Sequence, residues 1–308
     1  MTRSTNVLIA TGRVLLFGGP YSNLQATAAV LNEAKRLGVP ADHVVCTGDL
    51  AAYCGSPVET IDLIRTSGIN VIAGNCDEQL ANDAGDCGCG FGDGTQCDRL
   101  SAAWFAHASA TTDRARRDWL GGLAPRLTID LGIARLLVIH GSISRINQFV
   151  FATTPVETKR TELALTDCDG VIGGHCGLPF TEVVDGRLWH NAGVAGMPAN
   201  DGTPRVWFSL LRVDGGELIV EHHALDYDYR AAQAAMSVAG LPVEYRASLA
   251  SGTWPNCDVL PKYETAVQGR RLEPGSVRWR PGKPAHCAVL WPEFAPVAEG
   301  EGAGRRAC

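Results

Sequence analysis

The sequence predicts an α/β fold built around a parallel sheet, and three observations lead to that prediction. Short apolar, β-branched segments alternate with segments of helical periodicity, as they do in βαβ units. Two of these apolar segments, 44–46 and 70–73, lead to a glycine followed by an oxygen-bearing side chain. Side chains at the carboxyl ends of neighbouring strands point into one crevice. Asp49 and Asn75 are therefore the first candidates for a metal or phosphate site.

The first quarter of the chain supplies the βαβαβ run. The predicted elements, in order, are a strand over 14–17, a tight glycine loop over 18–23, a helix over 24–37, a strand leading to Asp49, a helix over 57–67 and a strand over 69–73. Connections of this kind are parallel and right-handed. Backbone amides of the Gly18-Gly19 loop are expected to help bind phosphate oxygens.

A glycine-rich segment over 78–96 interrupts the alternation. Its glycines are interleaved with Cys87 and Cys89, and Cys97 follows directly. So many glycines do not suit the interior of a helix or a strand, and we expect a loop laid over the site. Helical segments are expected from 98 to about 110 and then through 119.

The following region returns the chain to the sheet. Its predicted elements are a hairpin over 127–139, a helix over 155–165, a strand over 170–173 and hairpins over 181–189 and 205–222. His140 follows the first hairpin and His175 follows the strand over 170–173. Two histidines thus also stand at predicted strand ends.

The pattern changes after residue 225. A short alanine-rich helix over 231–239 is expected, followed by a tail rich in proline, glycine and tryptophan. We therefore divide the chain into a domain over 1–225 and a C-terminal extension over 226–308, which either folds independently or packs on the core. The Trp254 region of this extension is a candidate lid over the crevice.

Composition narrows the functional class. The 308 residues carry a net charge of −6 and a pI near 5.8, and they contain neither a basic patch nor a long apolar segment. The charge does not favour a dedicated nucleic-acid or membrane-surface binder, and the N-terminus lacks a signal-peptide pattern. We expect a cytoplasmic protein without a membrane partner. The 11 cysteines are then expected to be thiols or metal ligands.

An ordered set of four motifs resembles the calcineurin-like metallophosphoesterases, particularly their small bacterial phosphodiesterase branch. The motifs are Gly48-Asp49, Gly74-Asn75, His140-Gly141 and Gly173-Gly174-His175, and the resemblance covers roughly residues 12–223. It implies a four-layer αββα sandwich with a two-metal site. By position, Asp49, Asn75, His140 and His175 would ligate one divalent transition metal, for which Mn, Fe or Zn suits this donor set.

The other half of the family's site is altered. The resemblance implies an aspartate and two histidines for the first metal, but these positions hold Gly19, Tyr21 and Gly177. The residue after Asn75, to which the family gives a role in protonating the leaving group, is Cys76. We expect one ion per chain and leave the second open.

Cysteines near the predicted ligands suggest an alternative centre. Cys76 and Cys176 each adjoin a predicted ligand, and Cys87 and Cys89 follow Cys76 closely in sequence. Their thiolates could fill the vacated position and would favour Zn or Fe, including an iron–sulfur centre. Their spacing, with Cys97, matches no recognised cluster pattern.

The resemblance implies a hydrolase of phosphomonoesters or phosphodiesters that uses a metal-activated water. We expect Cys76, His140 and His175 to be catalytic and the substrate to be a small phosphate ester or a nucleotide. Two alternatives remain open at this point: a catalytically weak regulatory protein that binds a metal or nucleotide, and a metalloenzyme with the thiolate-containing centre. The sequence indicates no oligomeric state.

Overall fold

The computed structural model describes residues 6–284, 286 and 287. The strands are β1 (Asn6–Ile9), β2 (Val14–Phe17), β3 (Val44–Cys46), β4 (Asn70–Val71), β5 (Leu127–Asp130), β6 (Arg135–Val138), β7 (Gly170–Gly173), β8 (Phe180–Val184), β9 (Arg187–Asn191), β10 (Val206–Asp214), β11 (Glu217–Leu225), β12 (Gly275–Trp279) and β13 (His286–Cys287). The helices are α1 (Leu24–Arg36), α2 (Pro57–Ser67), α3 (Asn75–Ala81), α4 (Gln96–Thr111), α5 (Arg114–Gly121), α6 (Val156–Leu163), α7 (Tyr229–Val238), α8 (Val243–Ser251) and α9 (Lys262–Ala266).

These strands form two mixed sheets. One has the order β13-β12-β11-β10-β2-β3-β4, and the other has the order β1-β5-β6-β7-β9-β8. Strands β2, β3 and β4 pair in parallel, as the βαβαβ pattern predicts. Strands β6, β7 and β9 are also parallel neighbours, so the carboxyl ends of β6 and β7 lie at the same edge of their sheet.

Alternating side chains of the strands separate the core into layers. Val14 and Leu16 of β2 pack between the two sheets with Ile129 of β5. Leu15 and Phe17 point the other way, into a cluster that includes residues of α1 and α2. A third cluster joins β7 to Leu163 of α6 on the outer face of the other sheet. Successive side chains of a strand point to opposite faces of its sheet, and this alternation produces the expected αββα sandwich.

Three local expectations need correction. Residues 78–81 continue α3 instead of belonging to the glycine-rich loop, and β4 is only two residues long. Strand β1, which pairs with β5, was not predicted. Each difference has the same cause. The structure of a short segment is decided by pairing with a distant strand or by the start of a helix, and local apolar periodicity predicts neither.

The C-terminal extension contains more regular structure than expected. Helix α7 contacts both α1 and α8, and β12 adds to the sheet beside β11. The contacts with α1 and β11 are to elements of the first 225 residues. The division of the chain at residue 225 into two folding units stays a prediction.

None of the helices in the described part of the chain has the length and apolar character needed to cross a lipid bilayer. The cytoplasmic location stays a prediction.

Candidate metal centre

Four buried side chains meet where strands of the two sheets end. Asp49 follows β3, and Asn75 begins α3 shortly after β4. His140 follows β6, and His175 follows β7. The Nε2 atom of His140 lies 3.1 Å from Asp49 Oδ2, 3.1 Å from Asn75 Oδ1 and 3.1 Å from His175 Nδ1. The structure therefore brings together all four residues that the sequence selects as metal ligands.

Hydrogen bonds outside the centre fix the orientation of two of these groups. His140 Nδ1 is 2.6 Å from the carbonyl oxygen of Thr47, which only accepts, so Nδ1 carries a proton and Nε2 faces the centre. Asn75 Nδ2 donates to the carbonyl of Cys87 over 2.8 Å, which turns Oδ1 toward the centre. A histidine that ligates a metal usually donates its second N–H in this way.

The donor spacing fits a transition-metal ion. Ligands about 2.1 Å from an ion and about 90° apart are about 3.0 Å from each other, close to the separations around His140 Nε2. Without a cation, His140 Nε2 faces the carboxylate of Asp49 and the amide oxygen of Asn75, which are both acceptors, as a protonated donor, and a bound ion would take the place of that proton. Oxygen and imidazole donors of this mix suit Mn, Fe or Zn.

Charge coupling within the cluster agrees with a cation-binding role. Burial lowers the pKa of His140, but the carboxylate of Asp49 outweighs it and the net shift is upward. Burial alone would raise the pKa of Asp49, yet the neighbouring His140 holds it below its usual value. Burial, together with the charge of His140, lowers the pKa of His175 to about 3. A neutral His175 retains a lone pair for an ion.

Asp77, which the sequence analysis missed, joins the two strand ends. Its carboxylate accepts hydrogen bonds from the backbone N–H groups of Asp49 (2.7 Å), Leu50 (2.9 Å) and Gly74 (2.9 Å). Burial and the charge of Asp49 raise the pKa of Asp77 to about 7, while these N–H donors act in the opposite direction. The available signal was an aspartate three residues after a glycine N-cap, a capping position.

Comparisons with known proteins agree with this geometry. The model of the calcineurin-like phosphoesterase superfamily domain matches residues 20–216. This match spans more than half of the chain. The chain belongs to the calcineurin-like phosphoesterase superfamily.

Two solved structures share the fold of this phosphoesterase-family protein. A metallophosphoesterase from Sphaerobacter thermophilus is 24% identical, with a TM-score of 0.61, and the match covers 79% of this chain and 100% of that one. A hypothetical protein from Pyrococcus horikoshii is 18% identical, with a TM-score of 0.66, and the match covers 80% and 100% of the two chains. No curated protein matches the sequence significantly.

Aromatic rings lie beside the positions that the resemblance assigns to the family's other metal site. A Cβ on Gly19 would lie 2.3 Å from the Tyr21 ring, so this ring takes the space that an aspartate at Gly19 would need. Gly177 has a φ of +73°, and a Cβ there would lie 3.7 Å from the Trp254 ring. Gly19 and Gly177 supply no side-chain ligand at these two positions.

The cysteines lie beside the centre without joining it. In the described part of the chain, the group of metal-ligating side chains that converges within 4.8 Å contains Asp49, His140 and His175 but no cysteine. The sulfur of Cys76 lies 4.0 Å from the sulfur of Cys89, and it accepts from Asn75 Nδ2 at 3.6 Å. Burial raises the pKa of Cys76. A catalytic role for Cys76 stays a prediction.

A narrow cleft leads from the surface to His175. Its lining includes six aromatic side chains, four of which the sequence analysis did not single out: Tyr21, Tyr53, Phe91, Phe149, Tyr245 and Trp254. Among the described residues, those that line the cleft include no Lys, Arg, Asp or Glu. His175 Nε2 is buried and has no hydrogen-bond partner among the described residues. Trp254 thus lines the cleft, and its role as a lid stays a prediction.

The expectation for the Gly18-Gly19 loop was wrong at Gly18. The N–H of Gly18 donates to the carbonyl of Gly193 over 2.9 Å, which links β2 to the segment after β9. Because this donor is already paired, it does not bind phosphate.

Proposed function

We propose that this protein is a metal-dependent hydrolase of phosphomonoester or phosphodiester bonds. One Mn, Fe or Zn ion per chain would be held by Asp49, Asn75, His140 and His175. The observation that carries the proposal is the approach of three donor atoms to His140 Nε2 at 3.1 Å each. When bound, such an ion would supply Lewis-acid chemistry, polarising a phosphoryl oxygen and lowering the pKa of a water molecule.

The residues of the chain prepare the site for this chemistry. The carbonyl of Thr47 holds His140 in the tautomer that presents Nε2, and the backbone N–H of Cys76 holds Asp49 Oδ1 at 3.0 Å. His175 lies at the boundary between the centre and the cleft. In our proposal its Nε2–H, which has no hydrogen-bond partner among the described residues, donates a hydrogen bond to an oxygen of the ester as the leaving group departs.

The cleft narrows the class of substrate that we propose. Six aromatic rings, and a lining without charged side chains in the described part of the chain, suit an apolar or aromatic ester group. A polyphosphate would meet no Lys or Arg among the described lining residues to pair with its charges. Among small phosphate esters, including nucleotides, we therefore expect aryl esters to be favoured over polyphosphates.

The test is hydrolysis of bis-p-nitrophenyl phosphate by metal-depleted protein reconstituted with Mn, Fe or Zn. His140→Ala and Asp49→Ala should lower kcat by at least about 100-fold, because each removes a ligand of the ion. His107→Ala is the matched control, since His107 lies on α4 outside the centre. Equal turnover by the wild type and both site variants would refute the proposal.

A second candidate function has one observation in its favour. The Tyr21 ring fills part of the family's other metal site, and without two ions the clamp on the attacking and leaving oxygens is lost. This favours a catalytically weak protein that binds a metal or nucleotide for regulation. Stoichiometric metal binding by Asp49 and His140 without turnover of any phosphate ester would support this alternative. The thiolate-containing centre has less support, because the converging group contains no cysteine.

A further inference from the structure

A pair of thiols in the glycine-rich loop lies unusually close together. Cys87 and Cys89 are both free cysteines on either side of Gly88, and their sulfur atoms are 2.6 Å apart. This separation is only about 0.6 Å longer than an S–S bond of about 2.04 Å. Both side chains are buried. A bond between the two sulfurs therefore needs only a small movement of the loop.

The same distance argues against a shared metal ion. Two thiolates on one zinc ion, each about 2.3 Å from it in tetrahedral geometry, are about 3.8 Å apart. The separation of Cys87 and Cys89 is much shorter than this. The next nearest thiol is that of Cys76, 4.0 Å from Cys89, which is too far for a bond without a larger rearrangement. The geometry thus selects one pairing among the three thiols.

The loop that carries this pair also holds Asn75. The amide nitrogen of Asn75 donates to the carbonyl of Cys87 over 2.8 Å and to the sulfur of Cys89 over 3.4 Å. On its other side the loop is held by Asn147, whose Nδ2 donates to the Gly88 carbonyl over 2.9 Å. Any change in the conformation of this loop therefore reaches the amide group whose oxygen faces the metal centre.

We propose that Cys87 and Cys89 form a reversible disulfide, and that forming this bond moves the Cys87 carbonyl and turns Asn75 away from the orientation, seen here with free thiols, that favours metal binding. The oxidant would be a low-molecular-weight disulfide. One thiolate attacks a sulfur of that disulfide, forms a mixed disulfide and releases the first small thiol. The second protein thiolate then attacks the mixed disulfide and releases the second small thiol. Two electrons pass from the cysteine pair to the small disulfide. The two small thiols released from it take up the two protons of the cysteine pair.

The pairing is tested by counting and mapping thiols. The protein is incubated with glutathione disulfide or with dithiothreitol, quenched in acid, unfolded, alkylated and weighed by mass spectrometry. Because burial raises the pKa of Cys89, the incubation runs for hours at pH 8.5. We expect 11 alkylated cysteines after reduction and a loss of two after oxidation, with a Cys87–Cys89 link in the peptide map. A full set of thiols after oxidation, or a link from Cys76, would overturn the proposal.

The coupling to the centre is tested with Mn²⁺, which has little preference for thiolates. This part rests on the proposed metal site. We expect oxidation to weaken Mn²⁺ binding, followed by electron paramagnetic resonance, by about 10- to 100-fold, the usual effect of losing an outer hydrogen-bond partner of a ligand. The double variant Cys87→Ser/Cys89→Ser should bind Mn²⁺ equally under both conditions, whereas Cys54→Ser should respond like the wild type.

Equal Mn²⁺ affinity in the oxidised and reduced protein would refute the coupling. No Mn²⁺ binding in either state would refute the coupling together with the metal site, while the peptide map would still decide the disulfide. Neither readout depends on turnover, so a failure of the hydrolase proposal is distinguishable from a failure of this one.

Discussion

Replacing Gly74 by alanine tests how closely the two strand ends must approach. A Cβ at Gly74 would lie 2.2 Å from Asp49 Oδ1 and 2.5 Å from the backbone nitrogen of Asp49. Ordinary contact of these atoms requires more than about 3 Å, so the carboxylate would have to move by about 1 Å. Metal sites tolerate ligand displacements of only about 0.2 Å. Gly74→Ala should therefore remove Asp49 as an effective ligand.

The expected effect has two measurable parts. The metal affinity of Gly74→Ala, determined by competition with a chromophoric chelator, should fall by at least about tenfold. Overpacking should also lower the free energy of unfolding of the metal-free protein by about 1–3 kcal/mol in urea. Gly85→Ala is the matched control, because a Cβ there meets nothing within 4 Å. Wild-type metal affinity in Gly74→Ala would show that the close approach of Gly74 to Asp49 is not required for binding.

Three further predictions address the cleft, the buried histidines and the C-terminal extension. Trp254→Ala should raise KM for bis-p-nitrophenyl phosphate about 2- to 10-fold, because an aromatic contact with the ester is lost. Trp119→Ala is the control. Equal KM values for the two variants would contradict the assignment of the cleft as the ester-binding site. Burial lowers the pKa of His190 to about 3. Between pH 6.5 and 3 the unfolded chain therefore binds a proton at this histidine that the folded chain does not. The free energy of unfolding should fall with decreasing pH, by up to about 1.4 kcal/mol per pH unit. Urea titrations should give a shallower pH slope for His190→Gln, and an unchanged slope would refute this reasoning. A chain ending at Leu225 should show no cooperative thermal unfolding by circular dichroism, because β11 loses its pairing with β12. Cooperative unfolding of this chain would show that the first 225 residues fold alone.

The sequence was most informative where function and strand geometry coincide. Asp49, Asn75, His140 and His175 each follow an apolar strand, and carboxyl ends of parallel strands meet at one sheet edge. Their convergence could therefore be predicted from local patterns and the order of the motifs. Their role as ligands stays a prediction.

Other features depend on contacts that no local pattern records. Strand β1 forms only because β5 lies beside it, and Asp77 acts through backbone N–H groups 27 and 28 residues away. The cleft combines aromatic residues from distant segments, such as Tyr53 and Tyr245. No local pattern selected these residues, and only the folded chain brings them to one cleft beside His175.

The most direct test of the central claim is the metal content of the purified protein and its site variants after reconstitution with Mn, Fe or Zn and removal of excess ion. Elemental analysis should find about one ion per wild-type chain and substantially less than one in Asp49→Ala and His140→Ala, with both variants folded by circular dichroism. Undiminished metal content in these variants would contradict the assignment of Asp49 and His140 as ligands.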